Sequence, residues 1–212
     1  MSDELGLRER KKLQTRRSIW RIAIKMFVER GFDQVSVAEI AEAAQVSKKT
    51  VFNYFPTKEA LVLAPLEEHV DEAARVVRDR ADGESAVRAL RRHFLAALAA
   101  RDAATGLSDD PQVIAVQRLT HSTPALLQHL YHFLVRGQEL LAEELAAQDG
   151  RTDLIARVAA AQMLGTRNAL MSENIRRLLE GETADAVYPD AVVNAEQAFH
   201  LLEHGLGDYR TR

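Results

Sequence analysis

The stretch VSVAEIAEAAQVSKKTVFNYFPTKEALV, residues 35–62, decides the fold of the first part of the chain. It holds two short runs of apolar residues at helical spacing, and a serine opens each run. Ser36 stands three residues before Glu39, which is the pattern of a capping box, and Ser47 opens the second run. Pro56 ends that run because proline does not continue a helix. The stretch therefore predicts two helices of about two turns each, separated by a tight turn.

A longer helix is predicted before these two, over residues 8–30. Its apolar residues recur at helical spacing, and Gly31 follows at the position where glycine commonly ends a helix. Two short helices behind a supporting helix form a helix-turn-helix, whose second helix enters the major groove of DNA. An ordinary helical hairpin would show the same periodicity and is the alternative.

The second short helix presents two kinds of side chain. We predict that Val51, Phe52 and Phe55 face inward. The remaining side chains are able to contact phosphates or to hydrogen-bond base edges. They are Lys48, Lys49, Thr50, Asn53 and Tyr54.

Composition restricts the fold class and the chemistry. Hydrophobic residues make up 47% of the chain and aromatic residues only 6%, and ten Gly and five Pro are too few for a sandwich or barrel, so we expect an all-α protein. The chain has no Cys, which excludes disulfides, thiolate catalysis and cysteine-ligated zinc. The longest apolar run is the seven residues 94–100, and no apolar run follows the charged N-terminus. Neither a signal peptide nor a membrane span is expected.

Charge is distributed unevenly along the chain. Residues 1–60 carry twelve Lys/Arg and eight Asp/Glu, whereas the rest carries sixteen and twenty-three. Between Arg8 and Lys25 there are eight basic residues and one acidic residue. This pattern favours a polyanionic partner for the N-terminal part, with a solvated charged face as the alternative.

The rest of the chain reads as long helices separated by short breaks. We predict helices near 58–80, 84–102, 111–120, 124–148, 153–180 and 189–206, which brings the total to about nine.

Residues 15–61 resemble the TetR family of transcriptional repressors. The resemblance rests on SVAEIAEAAQVS, on KKTVFNYF and on PTKEAL, taken as one ordered string. The family usually has A-G-V-S in the turn, and this chain has Ala44-Gln45-Val46-Ser47. A residue other than glycine in a left-handed turn costs on the order of 1 kcal/mol, which a fold can absorb.

The resemblance implies a domain of residues 8–55 that binds DNA, in which several residues have roles by position. Tyr54 and Lys58 would contact phosphate, and Lys48, Lys49, Thr50 and Asn53 would lie on the recognition helix. Ser36 and Ser47 would cap their helices and let the helix amides approach phosphate, although capping alone also explains them. The basic residues from Arg8 through Arg16 and Arg17 would form an N-terminal extension that reaches the DNA backbone or minor groove.

The same resemblance implies that residues 56–212 bind a small-molecule effector and form a homodimer. The dimer would use the helices near 153–180 and 189–206. One stripe of the first of these helices has a middle of small residues, so we expect it to serve the dimer, the pocket wall or a core contact. The stripe comprises Leu154, Val158, Ala161, Gly165, Asn168, Ser172, Ile175 and Leu179.

Candidate effector-binding residues are polar groups that interrupt apolar helix faces, and the apolar side chains near them. Each of them has a role in the core or on the surface as its alternative. The polar candidates are Arg118, His121, Tyr131, Gln162, Arg167 and Asn168, and the apolar ones are Phe94, Leu98, Leu127, Met163 and Met171.

The effector itself is suggested by a weaker resemblance. Arg88, Arg91 and Arg92, followed by FLAAL, together with QRLTHSTPALLQHL, are faintly similar to the family branch associated with acyl-coenzyme A-like effectors. A solvated helix face would also explain these arginines. No cofactor and no metal is expected, and action in the cytoplasm at the nucleoid is implied.

One motif suggests an enzyme instead. His200-Leu201-Leu202-Glu203-His204 is an H-x-x-E-H string, the pattern of inverted zinc peptidases. Such a site requires a third protein ligand, and Asp208 is the one carboxylate among the eight residues that follow. A metal-dependent hydrolase and a helical interaction module that does not bind DNA are therefore kept as less favoured alternatives.

Overall fold

Helices account for the regular structure of residues 6–149 and 153–205, which are the residues described by the computed structural model. These ranges contain ten α-helices, one short 3-10 helix at Ala103–Thr105 and no strand, so the all-α prediction is confirmed. The helices are α1 (Leu7–Arg30), α2 (Val37–Ala43), α3 (Lys48–Tyr54), α4 (Lys58–Glu67), α5 (Glu72–Arg78), α6 (Ala86–Ala99), α7 (Pro111–Ser122), α8 (Pro124–Asp149), α9 (Asp153–Leu179) and α10 (Ala184–His204).

The predicted single helix over 58–80 is wrong, because the chain turns at residues 68–71 between α4 and α5. Pro65 lies in the last turn of α4 and has no amide hydrogen to donate to the carbonyl four residues earlier. The helix ends two residues later, at Glu67. Pro65 was the sequence signal for this break, and it raises the number of α-helices from nine to ten.

The predicted start of the last helix is also wrong. α10 begins at Ala184, because the hydroxyl of Thr183 caps it by accepting a hydrogen bond from the amide of Ala186 at 3.2 Å. Pro189 therefore lies inside the helix instead of at its first position. Buried Ala184 and Val187 hold the first turn against its neighbours although Pro189 lacks one amide donor. The predicted last residue, 206, lies outside the described residues.

The chain divides into two compact units. The first contains the chain up to Glu67 together with Ala115–Leu130, and the second contains Glu68–Ile114 and the chain from Tyr131 onward. The predicted boundary between residues 55 and 56 separates a DNA-binding domain from an effector-binding domain. It concerns function and stays a prediction.

The first unit is built around the helix-turn-helix. α1 packs against α2 and α4, and α2 packs against α3. Phe27 is completely buried, and its ring centroid lies 5.1 Å from that of Phe32. The side chains that fill this part of the core include Ile19, Ala23, Ile24, Val35, Ile40, Val51, Phe55 and Leu61.

The second unit has its own apolar core. α10 packs against α6 and α9, and α5 packs against α6. Phe94 of α6 and Phe199 of α10 are both buried, with ring centroids 6.0 Å apart. Buried aromatic pairs of this kind stabilise a core beyond the area that they bury. This core holds α6 and α9, which carry Phe94, Leu98, Met163 and Arg167 among the effector-site candidates.

Candidate nucleic-acid interface

The start of α2 is fixed by a complete capping box. The backbone amide of Ser36 donates to Oε2 of Glu39 at 2.8 Å, and the amide of Glu39 donates to the Ser36 hydroxyl at 3.3 Å. The hydrogen bond from the Ser36 amide, together with Arg30 at 2.6 Å, lowers the pKa of Glu39 from 4.5 to about 2. The predicted capping role of Ser36 is confirmed, and its predicted DNA contact stays a prediction.

The turn between α2 and α3 adopts a left-handed conformation at one residue. Gln45 has φ of 55° at the position where the TetR pattern has glycine. Two backbone hydrogen bonds close the turn, from Gln45 to the carbonyl of Glu42 at 3.0 Å and from Val46 to that of Ala41 at 2.9 Å. These bonds and the packing of α2 against α3 hold a conformation that glycine would adopt with less strain.

α3 has a buried face and an exposed face. Val51 and Phe55 are buried, with 0% and 1% of their surface exposed. Lys48, Lys49 and Asn53 are exposed. The helix therefore presents the polar surface that the sequence predicts.

The prediction that Phe52 faces inward is wrong. Its side chain is 41% exposed, and Nζ of Lys48 lies 5.8 Å from its ring centroid. Successive residues of a helix differ in direction by about 100°, so Phe52 cannot share the buried direction of Val51. Phe52 adds an apolar group to the exposed face, and such a group is able to contact the methyl group of thymine.

Thr50 and Tyr54 are less exposed than the prediction implies. The Thr50 hydroxyl lies 2.8 Å from the Ser47 hydroxyl, and the Thr50 amide donates to that hydroxyl at 3.0 Å. Ser47 thus caps α3, as predicted, and the Thr50 hydroxyl contacts the same oxygen. Tyr54 is half-buried, and its ring centroid lies 6.5 Å from that of Phe55.

Two cations beside α3 rest on aromatic rings of the core. Nζ of Lys58 lies 4.3 Å from the ring centroid of Phe32 and 5.7 Å from that of Phe27. The guanidinium of Arg16 lies 5.4 Å from the ring centroid of Phe55. Cation–π contacts restrict a long side chain, so both charges are oriented before any ligand binds.

The basic stretch from Arg8 to Arg17 forms the first turns of α1. Arg8, Arg10 and Arg17 are exposed on this helix, as are Lys11 and Lys12. An α-helix with its side chains is about 10–12 Å wide, whereas the minor groove of B-DNA is about 6 Å wide. Of the two predicted targets, the helical conformation therefore favours the DNA backbone over the minor groove.

The effector-site candidates fall into both units. Arg118, His121 and Leu127 belong to the first unit, and all three are exposed. The others belong to the second unit, where three of them line one cavity of about 10 Å³. These three are Phe94, Met163 and Arg167.

The remaining candidates of the second unit do not line that cavity. Leu98 is completely buried in the core, and Tyr131 is 65% exposed. Asn168 and Met171 are half-buried on α9. Gln162 lines a different groove, between α9 and α10.

The three arginines that suggest an acyl-coenzyme A-like effector all pair with carboxylates. Arg88 lies 3.7 Å from Glu203, Arg91 pairs with Glu196, and Arg92 lies 3.0 Å from Glu84. Such pairs are typical of a solvated helix face, the alternative reading of these residues.

The H-x-x-E-H string does not form a zinc site in the described part of the chain. The rings of His200 and His204 stack with centroids 4.1 Å apart, and Nδ1 of His204 lies 3.0 Å from the His200 carbonyl. Glu203 faces Arg88 instead of joining them. Within residues 6–149 and 153–205 no three His, Asp or Glu side chains are grouped as metal ligands, and Asp208 lies outside these ranges. A search of the same ranges finds no helix with the length and apolar character that a bilayer span requires.

Comparison with known proteins connects the first unit to a family. Residues 19–64 match the tetR family of bacterial regulatory proteins. The chain is 35% identical over 150 residues to the HTH-type transcriptional regulator TcmR of Streptomyces glaucescens, a match that covers 68% of this chain and 65% of TcmR. It is 41% identical over 70 residues to the HTH-type transcriptional regulator LuxR of Vibrio harveyi, covering 33% of this chain and 34% of LuxR. The chain thus spans less than two thirds of the length of these curated relatives.

The fold as a whole is similar to that of a solved regulator. The crystal structure of NalD, the secondary repressor of the MexAB-OprM multidrug efflux pump in Pseudomonas aeruginosa, aligns with a TM-score of 0.57 and 19% identity. The alignment covers 89% of this chain and 96% of NalD. The helix-turn-helix at residues 36–55, the family match around it and the fold agree, and residues 19–64 of the chain belong to the tetR family of bacterial regulatory proteins.

Proposed function

We propose that the protein is a transcriptional regulator that binds a palindromic DNA operator as a homodimer and responds to a small-molecule effector. The observation that carries the proposal is α3, whose exposed face bears Lys48, Lys49, Phe52 and Asn53 while Val51 and Phe55 hold it to the core. A protein of this kind acts in the cytoplasm at the nucleoid, represses by blocking its operator, and catalyses no reaction.

The dimer is supported by an open apolar groove between α9 and α10. The groove has a volume of about 610 Å³ and is lined by side chains of both helices, among them Leu170, Ala198 and Leu201. The predicted stripe of α9 is exposed from Leu154 to Ser172, with the exception of half-buried Asn168. Because a single recognition helix reads only a few base pairs, two copies related by two-fold symmetry supply the length of a specific site.

The effector is a small molecule that binds in the second unit. The dimer has conformations in which the spacing of its two recognition helices matches the half-sites and conformations in which it does not, and the effector shifts the equilibrium between them. An acyl-coenzyme A-like compound is the candidate from the sequence. The lining of the Phe94–Met163–Arg167 cavity supports an effector site, because apolar walls with few polar groups are typical of ligand sites. The cavity has a volume of about 10 Å³, so it must open to admit a ligand.

Binding of the full-length protein to duplex DNA at two salt concentrations tests the proposal. We expect affinity to fall as salt rises, and we expect the double variant Asn53→Ala/Tyr54→Ala to lose most of its binding. Gln197→Ala on α10 is the matched control, because Gln197 is exposed in the second unit and should leave binding unchanged. Unchanged binding by the double variant would refute the proposed function.

A further inference from the structure

A polar cluster lies beside the small cavity in the second unit. The cavity is lined by apolar side chains of α6, α9 and α10 and by His93 and Arg167. At about 10 Å³ it has room for a single water-sized probe, so it is closed in this conformation. The apolar lining comprises Leu90, Phe94, Met163, Leu164 and Phe199.

Arg167 extends from α9 to Glu72, the first residue of α5. Its Nη2 lies 2.5 Å from Oε2 of Glu72, and the two side chains are only 19% and 13% exposed. His69 contacts the other carboxylate oxygen through Nδ1 at 3.2 Å, and Nε2 of His93 lies 4.0 Å from the same oxygen. One carboxylate thus faces a guanidinium and two imidazoles.

The carboxylate of Glu72 compensates the charge of Arg167. Burial raises the pKa of Glu72, but the charge and hydrogen bond of Arg167 outweigh burial, so the pKa is lowered overall. Glu72 is therefore ionised at neutral pH. Without it, the guanidinium of Arg167 would be left largely buried with its charge uncompensated, which is strongly unfavourable.

We propose that this cluster is the effector site, that it binds an organic carboxylate with an apolar tail, and that Glu72 occupies the ligand's place on Arg167 in the unliganded protein. The inference rests on the proposed function, because it assigns the site and the chemical class of the effector. It names a free carboxylate in place of the acyl-coenzyme A-like compound that the sequence suggests.

Charge balance and geometry both favour a carboxylate. Arginine binds carboxylates through two parallel N–H donors, and a ligand carboxylate that replaces Glu72 keeps the charge of Arg167 compensated. The tail enters the space beside Phe94 and Phe199, and the flexible side chain of Met163 adapts to it. Opening of the closed cavity is therefore coupled to release of Glu72.

Release of Glu72 affects the start of α5. Glu72 is the first residue of this seven-residue helix, and its N-cap residue, Asp71, makes no side-chain cap bond. The four residues 68–71 join α5 to α4 along the chain. A ligand that displaces Glu72 therefore acts on the segment that follows α4. Through this segment the effector site is connected along the backbone to the helix-turn-helix.

Thermal unfolding and calorimetric binding of the full-length protein test the site. The probes are the carboxylates octanoate and 3-phenylpropionate. The control compounds are 1-octanol, which is uncharged, octylamine, which is cationic, and octanoyl-coenzyme A, which has the same apolar tail but no free carboxylate. We expect the carboxylates to raise the melting temperature, because a ligand that binds the native state stabilises it. The analogues should have little effect. Stabilisation by octanol or octanoyl-coenzyme A equal to that by octanoate would overturn the proposal.

Two pairs of variants separate a ligand site from a structural ion pair. Glu72→Gln removes the competing carboxylate and should tighten octanoate binding about fivefold or more, within the usual range of coupling between linked equilibria. Arg167→Gln should abolish binding, and Arg167→Lys, which keeps the charge but loses the paired donors, should weaken it. The matched controls are Glu180→Gln and Arg176→Gln, which alter an exposed ion pair of the same unit and should leave binding unchanged.

The outcomes also separate this inference from the proposed function. A purely structural ion pair would make Glu72→Gln and Arg167→Gln less stable without changing any response to carboxylates, and that result would overturn the site. Loss of the site with intact DNA binding leaves the regulator assignment standing. Octanoate binding that depends on Arg167 in a protein that binds no DNA would support the site and contradict the proposed function.

Discussion

Asn53 is the residue on which sequence reading by α3 depends most directly. Its amide is exposed, and an asparagine amide is able to pair with both hydrogen-bonding groups of adenine in the major groove. We expect Asn53→Ala to reduce discrimination at one base pair by about 1–3 kcal/mol while binding to unrelated duplexes changes little. Competition among single-base variants of the selected operator measures this. A uniform loss at every position would contradict a base-reading role.

Lys49 is expected to behave differently, because we expect its ammonium group to contact phosphate, and phosphate contacts carry no sequence information. Lys49→Ala should weaken binding to all duplexes alike and reduce the slope of log K against log salt by about 1. Affinities of the wild type and the variant over a series of salt concentrations give this slope. An unchanged slope with altered preference among sequences would show that Lys49 contacts bases instead of phosphate.

At the scale of single elements, the capping box makes the stability of α2 dependent on pH. The pKa of Glu39 is about 2 in the folded protein, whereas a glutamate without these hydrogen-bond partners has a pKa of 4.5. Because the folded pKa is the lower one, the stabilisation is fully present above pH 4.5 and is lost as pH falls toward 2.

The difference in melting temperature between wild type and Glu39→Gln should therefore be largest near neutral pH and should shrink toward pH 2. Carboxyl-carbon NMR gives the titration midpoint of Glu39 directly. A midpoint at 4.5 would contradict the capping geometry of Ser36 and the contact with Arg30.

Elements with local signals could be predicted from the sequence. Ser36, Glu39 and Ser47 act within their own helix turn, so their spacing was sufficient to locate α2 and α3. Pro56 likewise marks the end of α3, whose last residue is Tyr54.

Other features depend on packing and could not be derived from spacing alone. The prediction for Phe52 rests on its residue type, because phenylalanine is usually buried. The packing of α3 against α2 buries Val51 and Phe55, and Phe52, which lies about 100° from Val51 around the helix, is left exposed. The pairing of Glu72 with Arg167, 95 residues apart in the chain, has no local signal. The sequence analysis therefore missed Glu72, His69 and His93 of the inferred effector site, although Arg167, Phe94 and Met163 were among the candidates.

In the whole molecule, recognition of a palindromic operator requires that two copies of the chain associate. The open groove between α9 and α10 includes Ala198, and a long charged side chain there would be buried unpaired in an interface. We expect Ala198→Arg to convert the dimer to a monomer and to lower operator affinity strongly. Sedimentation velocity measures the oligomeric state.

Gln197→Arg is the matched control for this change. Gln197 is the neighbouring residue, but it is exposed and does not line the groove, so its variant should remain dimeric. A dimer that persists in Ala198→Arg would place the interface elsewhere on the molecule.

The central claim is that the protein reads a specific two-fold symmetric DNA sequence. Selection of bound duplexes from a random pool by the full-length protein, at two salt concentrations and with or without octanoate, tests it most directly. We expect one enriched palindrome whose half-sites lie about 10 base pairs apart, or a multiple of that, with affinity that falls as salt rises. Failure to enrich any sequence under all of these conditions would contradict the account.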